Sequence, residues 1–484
     1  KPMRKSILLA ACGAGLILVG CSLAPEYQRP ETPVPTQWPA GPAYRQLPVD
    51  APFAGDLRWR EFFADESLQK LIGMALKNNR DLRLAALNVE RARGMYGIQR
   101  GELYPSVNAQ GSGGRSRGSV DLLQPGQPRT SGNYSVDLGF AAWELDFFGR
   151  IRSLSEQALQ EYLATDEARR SVQIALVAEV ARAYLTLAAD RENFQLAQST
   201  LETQQSAYAL VKKRYDVGVA TELDLKRAQT PVDTARGELA RYTQLVAQDR
   251  NALDLLAGAP VQDEWLPSNL GGVAPPREIA AGLSSEALLR RPDIIAAEHR
   301  LKGAYASIGA ARAALFPRIS LTTAVGTASN QLSRLFESGT GTWAFTPQFV
   351  MPIFDSRLWA AVRVSKTERE IVLTQYEKAI QTAFREVADA LAVQGTIDDQ
   401  VAAQRSLEAA SADTYRLAKL RYDKGIDSYL SVLDAQRAHF TAQQGLVSLH
   451  LAKLASQVRL YAVLGGGADA EDALSDQTNT ASRP

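Results

Sequence analysis

The chain has 484 residues, and its 54 basic and 53 acidic side chains give a formal net charge of +1. A nucleic-acid-binding protein normally carries a basic excess, so this balance argues against that class. The chain is too long for one small domain, and it has no run of about 18 apolar residues that would form a membrane-spanning helix. A globular protein, a coiled coil and a β-barrel all remain compatible with the composition.

Residues 1–20 have the features of an export signal. Arg4 and Lys5 precede an apolar stretch over 7–19, which is the expected arrangement. Gly20 stands directly before Cys21, and this junction resembles the cleavage site of bacterial lipoproteins. The resemblance implies cleavage before Cys21 and acylation of that residue, whereas the alternative is an ordinary signal peptide with a chance cysteine. With Cys12 removed and Cys21 acylated, the mature chain would have no free thiol for disulfide or zinc chemistry.

The remaining sequence contains an internal two-fold repeat. Residues 100–105 reappear as 312–317 with an offset of 212, and residues 214–219 reappear as 421–426 with an offset of 207. Such self-similarity indicates two copies of one structural unit. Each copy reads as a helix, two strands, a long helix, a turn and a return helix. The segments outside the two copies are a signal peptide (1–20), a lipidated segment (21–69), a linker (258–284) and a tail (464–484); the last three are called equatorial because they are expected to form a belt midway along the helices. The first copy comprises a helix (70–103), a first hairpin (104–148) and a long helix with turn and return helix (149–257). The second copy comprises a helix (285–315), a second hairpin (316–355) and a second long helix with turn and return helix (356–463).

The predicted strands alternate between apolar and polar residues. This alternation is typical of a membrane barrel with lipid outside and water inside, although a half-buried soluble sheet would give the same pattern. In the second strand the apolar face comprises Tyr134, Val136, Leu138, Phe140 and Ala142; in the later strands it comprises Ile319, Leu321, Val325, Trp343, Phe345, Phe349, Met351 and Ile353.

The long helices carry apolar residues at every seventh position, which predicts helices packed side by side in the manner of coiled coils. Val180, Leu187 and Phe194 belong to one such series. A helix over 150–215 would be roughly 100 Å long, which exceeds a globular domain. The two shorter helices of each copy would run end to end beside the long one, and the remaining segments would form an equatorial belt.

Four strands cannot close a membrane barrel, because the smallest such barrels have about eight strands. Open strand edges are not tolerated in lipid. If the strands span a membrane, at least two chains must therefore combine them, and three chains would give twelve strands with room for a channel.

The repeat, the lipoprotein-like junction and several motifs together resemble the outer membrane factor family of the TolC/OprM type. The resemblance covers nearly the whole mature chain and is strongest to the OprM-like lipoprotein branch. Its motifs are Phe316-Pro317, the segment 143–150, the turn 422–425 and the segment 291–294.

The resemblance implies a mixed α/β membrane protein in the outer membrane. The expected assembly is a homotrimer with a twelve-stranded β-barrel, a long periplasmic α-helical barrel and a mixed equatorial belt. It would be a multidrug efflux exit duct and not an enzyme, with no cofactor beyond the lipid on Cys21, no metal and no nucleic-acid partner. A periplasmic adaptor protein and an inner-membrane pump of the RND class would feed it.

By the same resemblance, Leu430 would form an apolar ring at the periplasmic gate, Asp434 an acidic ring, and Arg437 a tether. Spacing alone favours a plain surface ion pair between residues three apart on a helix. The equivalent positions of the first copy are Leu223, Arg227 and Thr230, which lack the Asp and Arg.

The turns at the helix tips are the expected adaptor contact, although a solvated helical hairpin turn is the simpler alternative. Two other functions stay open: the exit duct of a type I protein secretion system, and a structural coiled-coil lipoprotein. The tip residues are Asp216, Gly218, Thr221, Asp423, Gly425 and Ser428.

Overall fold

The computed structural model describes residues 22–44, 52–124, 126–280 and 284–467. The predicted signal peptide, Cys21 and residues 468–484 lie outside the described residues. The described chain forms two compact units. One contains residues up to 31, 88–165 and 296–376, and the other contains the rest.

Seven helices of more than one turn and four strands make up the described chain. The order helix, strand, strand, long helix, return helix occurs twice. In chain order the elements are a single turn Trp59–Phe62, then α1 Glu66–Asn78, α2 Arg80–Gly101, β1 Asn108–Arg117, β2 Thr130–Glu144, α3 Arg150–Asp216, α4 Glu222–Ala257, α5 Pro292–Ala313, β3 Arg318–Ser329, β4 Gly341–Val350, α6 Ser356–Asp423 and α7 Tyr429–Val463.

The helix predicted over 70–103 is two helices in the structure, α1 and α2. Asn79 separates them because its backbone is extended, with ψ at 133°. Its side-chain oxygen accepts hydrogen bonds from the backbone N–H groups of Asp81 and Leu82, at 2.9 and 3.0 Å. Asparagine favours such helix starts over helix interiors, so the change of direction occurs there.

The helix predicted over 285–315 also begins later than expected. Residues Ser285–Arg290 form a 3₁₀ turn, Arg291 is extended, and α5 starts at Pro292. Proline suits the first position of a helix because its fixed φ matches the helix and its missing N–H is not needed there.

The four strands form one antiparallel sheet in the order β1-β2-β3-β4. The register aligns the apolar residues of neighbouring strands into rows on one face, since Leu138 pairs with Val325 and Val325 pairs with Trp343. Leu138, Val325 and Trp343 are 57%, 64% and 79% exposed. An apolar face exposed to this extent requires an apolar environment outside the chain.

A β-bulge interrupts β2 between Phe140 and Trp143. The prediction that Ala142 continues the apolar face is wrong, because Ala142 lies in the bulge with a positive φ of 52°. Trp143 pairs with Leu321 instead and takes that place on the apolar face. One extra residue in a strand reverses the faces of all residues that follow it, so Glu144 turns to the polar face.

The reversed Glu144 joins the sheet to the start of α3. Its carboxylate accepts two hydrogen bonds from Arg150, both at 2.8 Å, and forms an ion pair with Arg318 at 2.5 Å. The side chain of Glu144 is only 9% exposed. A two-pronged carboxylate–guanidinium contact fixes orientation as well as distance, so this carboxylate connects the end of β2, the start of α3 and the start of β3.

The other unit has an aromatic core around Tyr461. The rings of Phe62 and Tyr461 stack with centroids 3.9 Å apart, and the Tyr461 hydroxyl donates to the carbonyl of Leu57 at 2.7 Å. Leu71 and Ile72 of α1 are fully buried. These contacts join the turn Trp59–Phe62 to the end of α7.

Helix α3 contains an 18-residue window as hydrophobic as a membrane span, with a mean hydropathy of 1.4, although 61% of that window is buried in the structure. Val180 and Leu187 of the predicted heptad are buried there, whereas Phe194, Leu201 and Tyr208 towards the tip are half-buried. The apolar character of α3 is therefore used mainly for packing against other helices.

Replacement of Glu144 should weaken the connection between sheet and helix. We expect Glu144→Ala to lower the free energy of unfolding by about 2 kcal/mol, because it leaves Arg150 and Arg318 without their shared partner. Thermal denaturation of the assembled protein in detergent measures the change. Glu337→Ala removes an exposed ion pair with Arg334 and should change stability by less than about 0.5 kcal/mol. Equal effects of the two variants would contradict the role assigned to Glu144.

Candidate functional site

The two helix tips have the same backbone turn. In the first tip the N–H groups of Gly218 and Val219 donate to the carbonyls of Tyr215 and Arg214, at 2.9 and 2.8 Å. In the second tip Gly425 and Ile426 repeat these bonds to Tyr422 and Arg421. This is the Schellman motif, and it requires the left-handed backbone of Gly218 (φ 77°) and Gly425 (φ 73°).

The tips differ in how the return helix begins. Thr221 and Asp224 form a capping box at the start of α4, where each side chain bonds the other residue's backbone N–H. Ser428 precedes α7 without a side-chain cap. In the second tip Arg421 pairs with Asp427 at 2.6 Å instead, and this hydrogen bond lowers the pKa of Asp427 below its ordinary value.

Side chains of the two tips contact each other. Arg214 donates to the Tyr422 hydroxyl at 2.8 Å, and Tyr422 packs on Tyr429 with ring centroids 5.2 Å apart. Burial raises the pKa of Tyr429 to about 12. The two turns therefore form one end surface. Its exposed residues include all six predicted contact residues, Asp216, Gly218, Thr221, Asp423, Gly425 and Ser428, together with the apolar Val217, Val219 and Ile426.

The predicted gate residues share one face at the start of α7. Leu430, Asp434 and Arg437 are exposed, and their spacing of four and three residues places them in one row. Val432, Leu433, Ala435 and Gln436 are buried on the opposite side. Neither Asp434 nor Arg437 forms an ion pair within the described residues, so the surface pair expected from spacing alone is not seen.

A groove of about 250 Å³ lies beside this face, between α7, α4 and α3. Leu430 and Arg437 line it together with Arg227 and Thr230, which are the first-copy counterparts of Asp434 and Arg437. The groove thus brings together two residues of each copy of the predicted motif, whereas Asp434 and Leu223 do not line it.

An N-terminal strap, residues 22–31, docks on α5, and sequence reasoning did not identify it. Arg312 donates to the carbonyl of Leu23 at 3.1 Å, and Arg29 pairs with Glu298 at 2.7 Å. Glu298 is nearly buried and also accepts a hydrogen bond from Tyr27 at 3.1 Å. A side chain on Gly309 would collide with the backbone of Ala24, so glycine at that position allows the strap to lie close to the helix.

None of these surfaces has the composition of a catalytic or metal centre. Over the described residues, no three His, Cys, Asp or Glu side chains come together in a way that could hold a metal ion. The sheet offers an apolar face, the tips offer an exposed contact surface, and the start of α7 offers a row of one apolar, one acidic and one basic side chain.

Comparison with known proteins places these features in a family. The profile of the outer membrane efflux protein family matches residues 71–259 and 283–466. Among solved structures, the open state of the MtrE outer membrane channel of Neisseria gonorrhoeae is similar, with a TM-score of 0.84 and 39% sequence identity. That alignment covers 93% of this chain and 99% of the other.

Relatives of known sequence extend over almost the same length. The probable efflux pump outer membrane protein TtgC of Pseudomonas putida is 49% identical, and the alignment covers 96% of each chain. The outer membrane protein OprJ of Pseudomonas aeruginosa is 41% identical over 96% of this chain and 97% of its own. The chain therefore belongs to the outer membrane efflux protein family.

Proposed function

We propose that the chain is the exit duct of a tripartite multidrug efflux pump and works as a homotrimer. Three chains would form a twelve-stranded barrel in the outer membrane and a helical tunnel in the periplasm, through which drugs and other small toxic compounds leave the cell. The family consists of transport channels and not of enzymes, and the chain's role is passage of substrate without chemical change.

The observation that carries this proposal is a sheet with an exposed apolar face and two unpaired edges. All residues of β1 and β4 are exposed, and neither strand has a second neighbour among the described residues. Unpaired backbone N–H and C=O groups are too costly in lipid to remain open. Pairing β4 of one chain with β1 of the next satisfies them and closes the barrel.

The gate proposed at the tunnel entrance consists of Leu430, Asp434 and Arg437. Around a three-fold axis, three Asp434 carboxylates repel each other unless cations lie beside them. Arg437 is one helical turn away on the same face and has no ion pair among the described residues, so it is available to a neighbouring chain. Ion pairs between chains would hold the entrance closed, and the Leu430 ring would narrow it.

The strap supports the proposed lipid anchor on Cys21. Leu23 is held by Arg312, close to the end of α5 and only a few residues before β3 begins. The described strap therefore begins beside the start of β3, where a membrane surface is expected.

The proposed partners are a periplasmic adaptor protein and an inner-membrane pump of the RND class. The exposed apolar residues of the tip turns, such as Val219 and Ile426, suit a protein contact. The relative TtgC is a probable efflux pump outer membrane protein, and this favours efflux over type I protein secretion.

The trimer is tested by native mass and by cross-linking. We expect three chains per detergent-extracted particle. Because the mature chain would contain no free thiol, cysteines introduced on the two sheet edges report contacts between chains. Ala109→Cys combined in turn with Trp343→Cys, Phe345→Cys and Phe349→Cys should give cross-linked oligomers in at least one combination. Leu138→Cys with Val325→Cys, which pair within the chain, should give none. A mass of one chain would contradict the proposal.

The gate is tested by conductance in planar bilayers. We expect Asp434→Ala with Arg437→Ala to raise single-channel conductance several-fold, because the entrance loses its ion pairs. The control is Asp413→Ala with Arg416→Ala, which removes an exposed pair of the same residues at the same spacing on α6. An unchanged conductance in the first variant would remove the gate assignment and leave the fold untouched.

Lipidation is tested by mass spectrometry of the purified protein. We expect Cys21→Ser, made with a cleavable signal, to assemble as a trimer that lacks the acyl mass, because the barrel holds the chain in the membrane. Cys12→Ser should be acylated normally. An acylated Cys21→Ser protein would show that the lipid is attached elsewhere.

A further inference from the structure

The edge strand β1 carries two arginines at the end of the sheet that is remote from the helices. Arg115 pairs with Gly132 of β2, and Arg117 pairs with Thr130, in a register that has no irregularity along β1. Successive side chains of a strand point to opposite faces, so residues two positions apart share a face. Both arginines therefore stand on the same face of the sheet.

That face is the apolar face. Two residues before Arg115, Gly113 pairs with Tyr134, and a β-carbon added to Gly113 would lie 2.9 Å from the Tyr134 ring. The ring thus lies on the same side of the sheet as the arginines. Four residues further along β2 on this side stands Leu138, which is exposed and belongs to the apolar row described above.

The apolar part of this face has the height of a membrane. On β3 it runs from Ile319 to Ser329, and Ser329 pairs with Tyr134. This length of strand spans about 33 Å, or about 25 Å along the membrane normal at a tilt of about 40°. The apolar band of a membrane barrel is about 25 Å tall and is bounded by aromatic side chains. Arg115 lies one step beyond Tyr134, which places it at the level of the lipid head groups.

Neither arginine has a partner for its charge within the described residues. Both side chains are exposed, and neither guanidinium forms a hydrogen bond or an ion pair there. Over 110–129, three arginines and one aspartate give a formal charge of +2. The third arginine, Arg129, donates to the carbonyl of Gly118 at 3.2 Å. The outward pair is therefore the positive charge that this end of the sheet leaves available.

The polar face carries no charge at the same level. Gly114 pairs there with Asn133, and Ser116 pairs with Ser131, with their hydroxyl oxygens 3.2 Å apart. A charge that selected solutes inside a channel would stand on this polar face. The arginines stand on the opposite side, so their position suits a ligand that approaches from the membrane.

The second copy lacks the arginines. With the offset of 212 that relates the two copies before their strands, Arg115 corresponds to Thr327 and Arg117 to Ser329. Thr327 pairs with Val136, so the counterparts stand on the same apolar face. The basic pair is thus a property of β1 alone and is not required by the strand repeat.

We propose that Arg115 and Arg117 form a binding surface for the phosphate groups of a phosphorylated glycolipid in the outer leaflet of the outer membrane. The guanidinium group matches phosphate in charge and in hydrogen-bonding geometry. Because the helices leave the sheet at its other end, this end faces the outer leaflet. The inference rests on the proposed function, which places the sheet in the outer membrane with its helices in the periplasm.

The site also has room for the lipid tail. Below the arginines, the outward positions of β1 are occupied by Ala109, Gly111 and Gly113. These small residues leave a shallow furrow beside the larger side chains of β2, along which an acyl chain can lie while its head group contacts the guanidinium groups.

Native mass spectrometry of the detergent-extracted protein tests the proposal, with diphosphoryl lipid A as the probe. We expect Arg115→Gln with Arg117→Gln to weaken lipid A binding by about thirtyfold and each single variant by about fivefold, since each basic residue contributes separately near an anionic lipid. Added salt should weaken binding to the unaltered protein more than to the double variant. The single variants supply the test if the double variant does not assemble.

The control removes the same formal charge from the same end of the sheet but not from the outward row. Arg129→Gln with Arg334→Gln alters two loop arginines, of which Arg334 already pairs with Glu337. This control should bind lipid A within about twofold of the unaltered protein, because exposed charges off the contact surface are screened. Phosphatidylglycerol has one charge and should bind the unaltered protein at least about fivefold more weakly than lipid A.

Equal binding of lipid A by the unaltered protein and the double variant would overturn the proposal. Equal binding of lipid A and phosphatidylglycerol would also overturn it, because the surface would then accept any anionic lipid. The mass of the same particles keeps this inference separate from the proposed function. A trimer whose lipid binding ignores the arginines refutes the lipid site alone, whereas a particle of one chain refutes the trimeric duct.

Discussion

The structure depends on the requirement that backbone hydrogen bonds be satisfied where water is absent. Lipid can surround the apolar face of the four-stranded sheet, but it cannot form hydrogen bonds with the backbone groups of the two edge strands. Every edge N–H and C=O must find a partner, and no other element of the described chain supplies one. If the sheet spans a membrane, its two edges must therefore pair with strands of other chains.

The connection between sheet and helices follows from a single extra residue. The bulge at Ala142 reverses the faces of β2, which moves Trp143 to the apolar side and Glu144 to the polar side. Glu144 can then bind Arg150 and Arg318 together. Without the bulge, the carboxylate would point into lipid, where a charged group is expensive. A local irregularity therefore allows a barrel strand to continue into a helix.

Periodicity and repetition carried most of the information that the sequence offers about this fold. Alternation predicted strands on residues that the structure places in β2, β3 and β4, and the heptads indicated the long helices. The prediction that Met351 and Ile353 continue the last strand is wrong, because β4 ends at Val350. The break at Asn79 is not visible in the sequence pattern because the apolar pattern continues across it. The hydrogen bonds that start the second helix involve only Asn79, Asp81 and Leu82, so they leave the periodicity unchanged. The bulge was missed because alternation gives no signal of one inserted residue.

The site was predictable only in part, for a related reason. The repeat of residues 214–219 as 421–426 is visible in sequence, so the turns at Gly218 and Gly425 could be located. The hydrogen bond from Tyr27 of the strap to Glu298 joins residues about 270 positions apart. A contact between positions so far apart leaves no periodic pattern in the sequence.

The differences between the two copies are as informative as their similarity. The gate motif predicted by resemblance is present only in the second copy, since Arg227 and Thr230 replace Asp434 and Arg437 in the first. Arg227 of the first copy lines the groove beside Leu430. Duplication thus supplied two helix tips with the same backbone turn, and substitution in one copy alone gave the return helices different starts, with a capping box at Thr221 and none at Ser428.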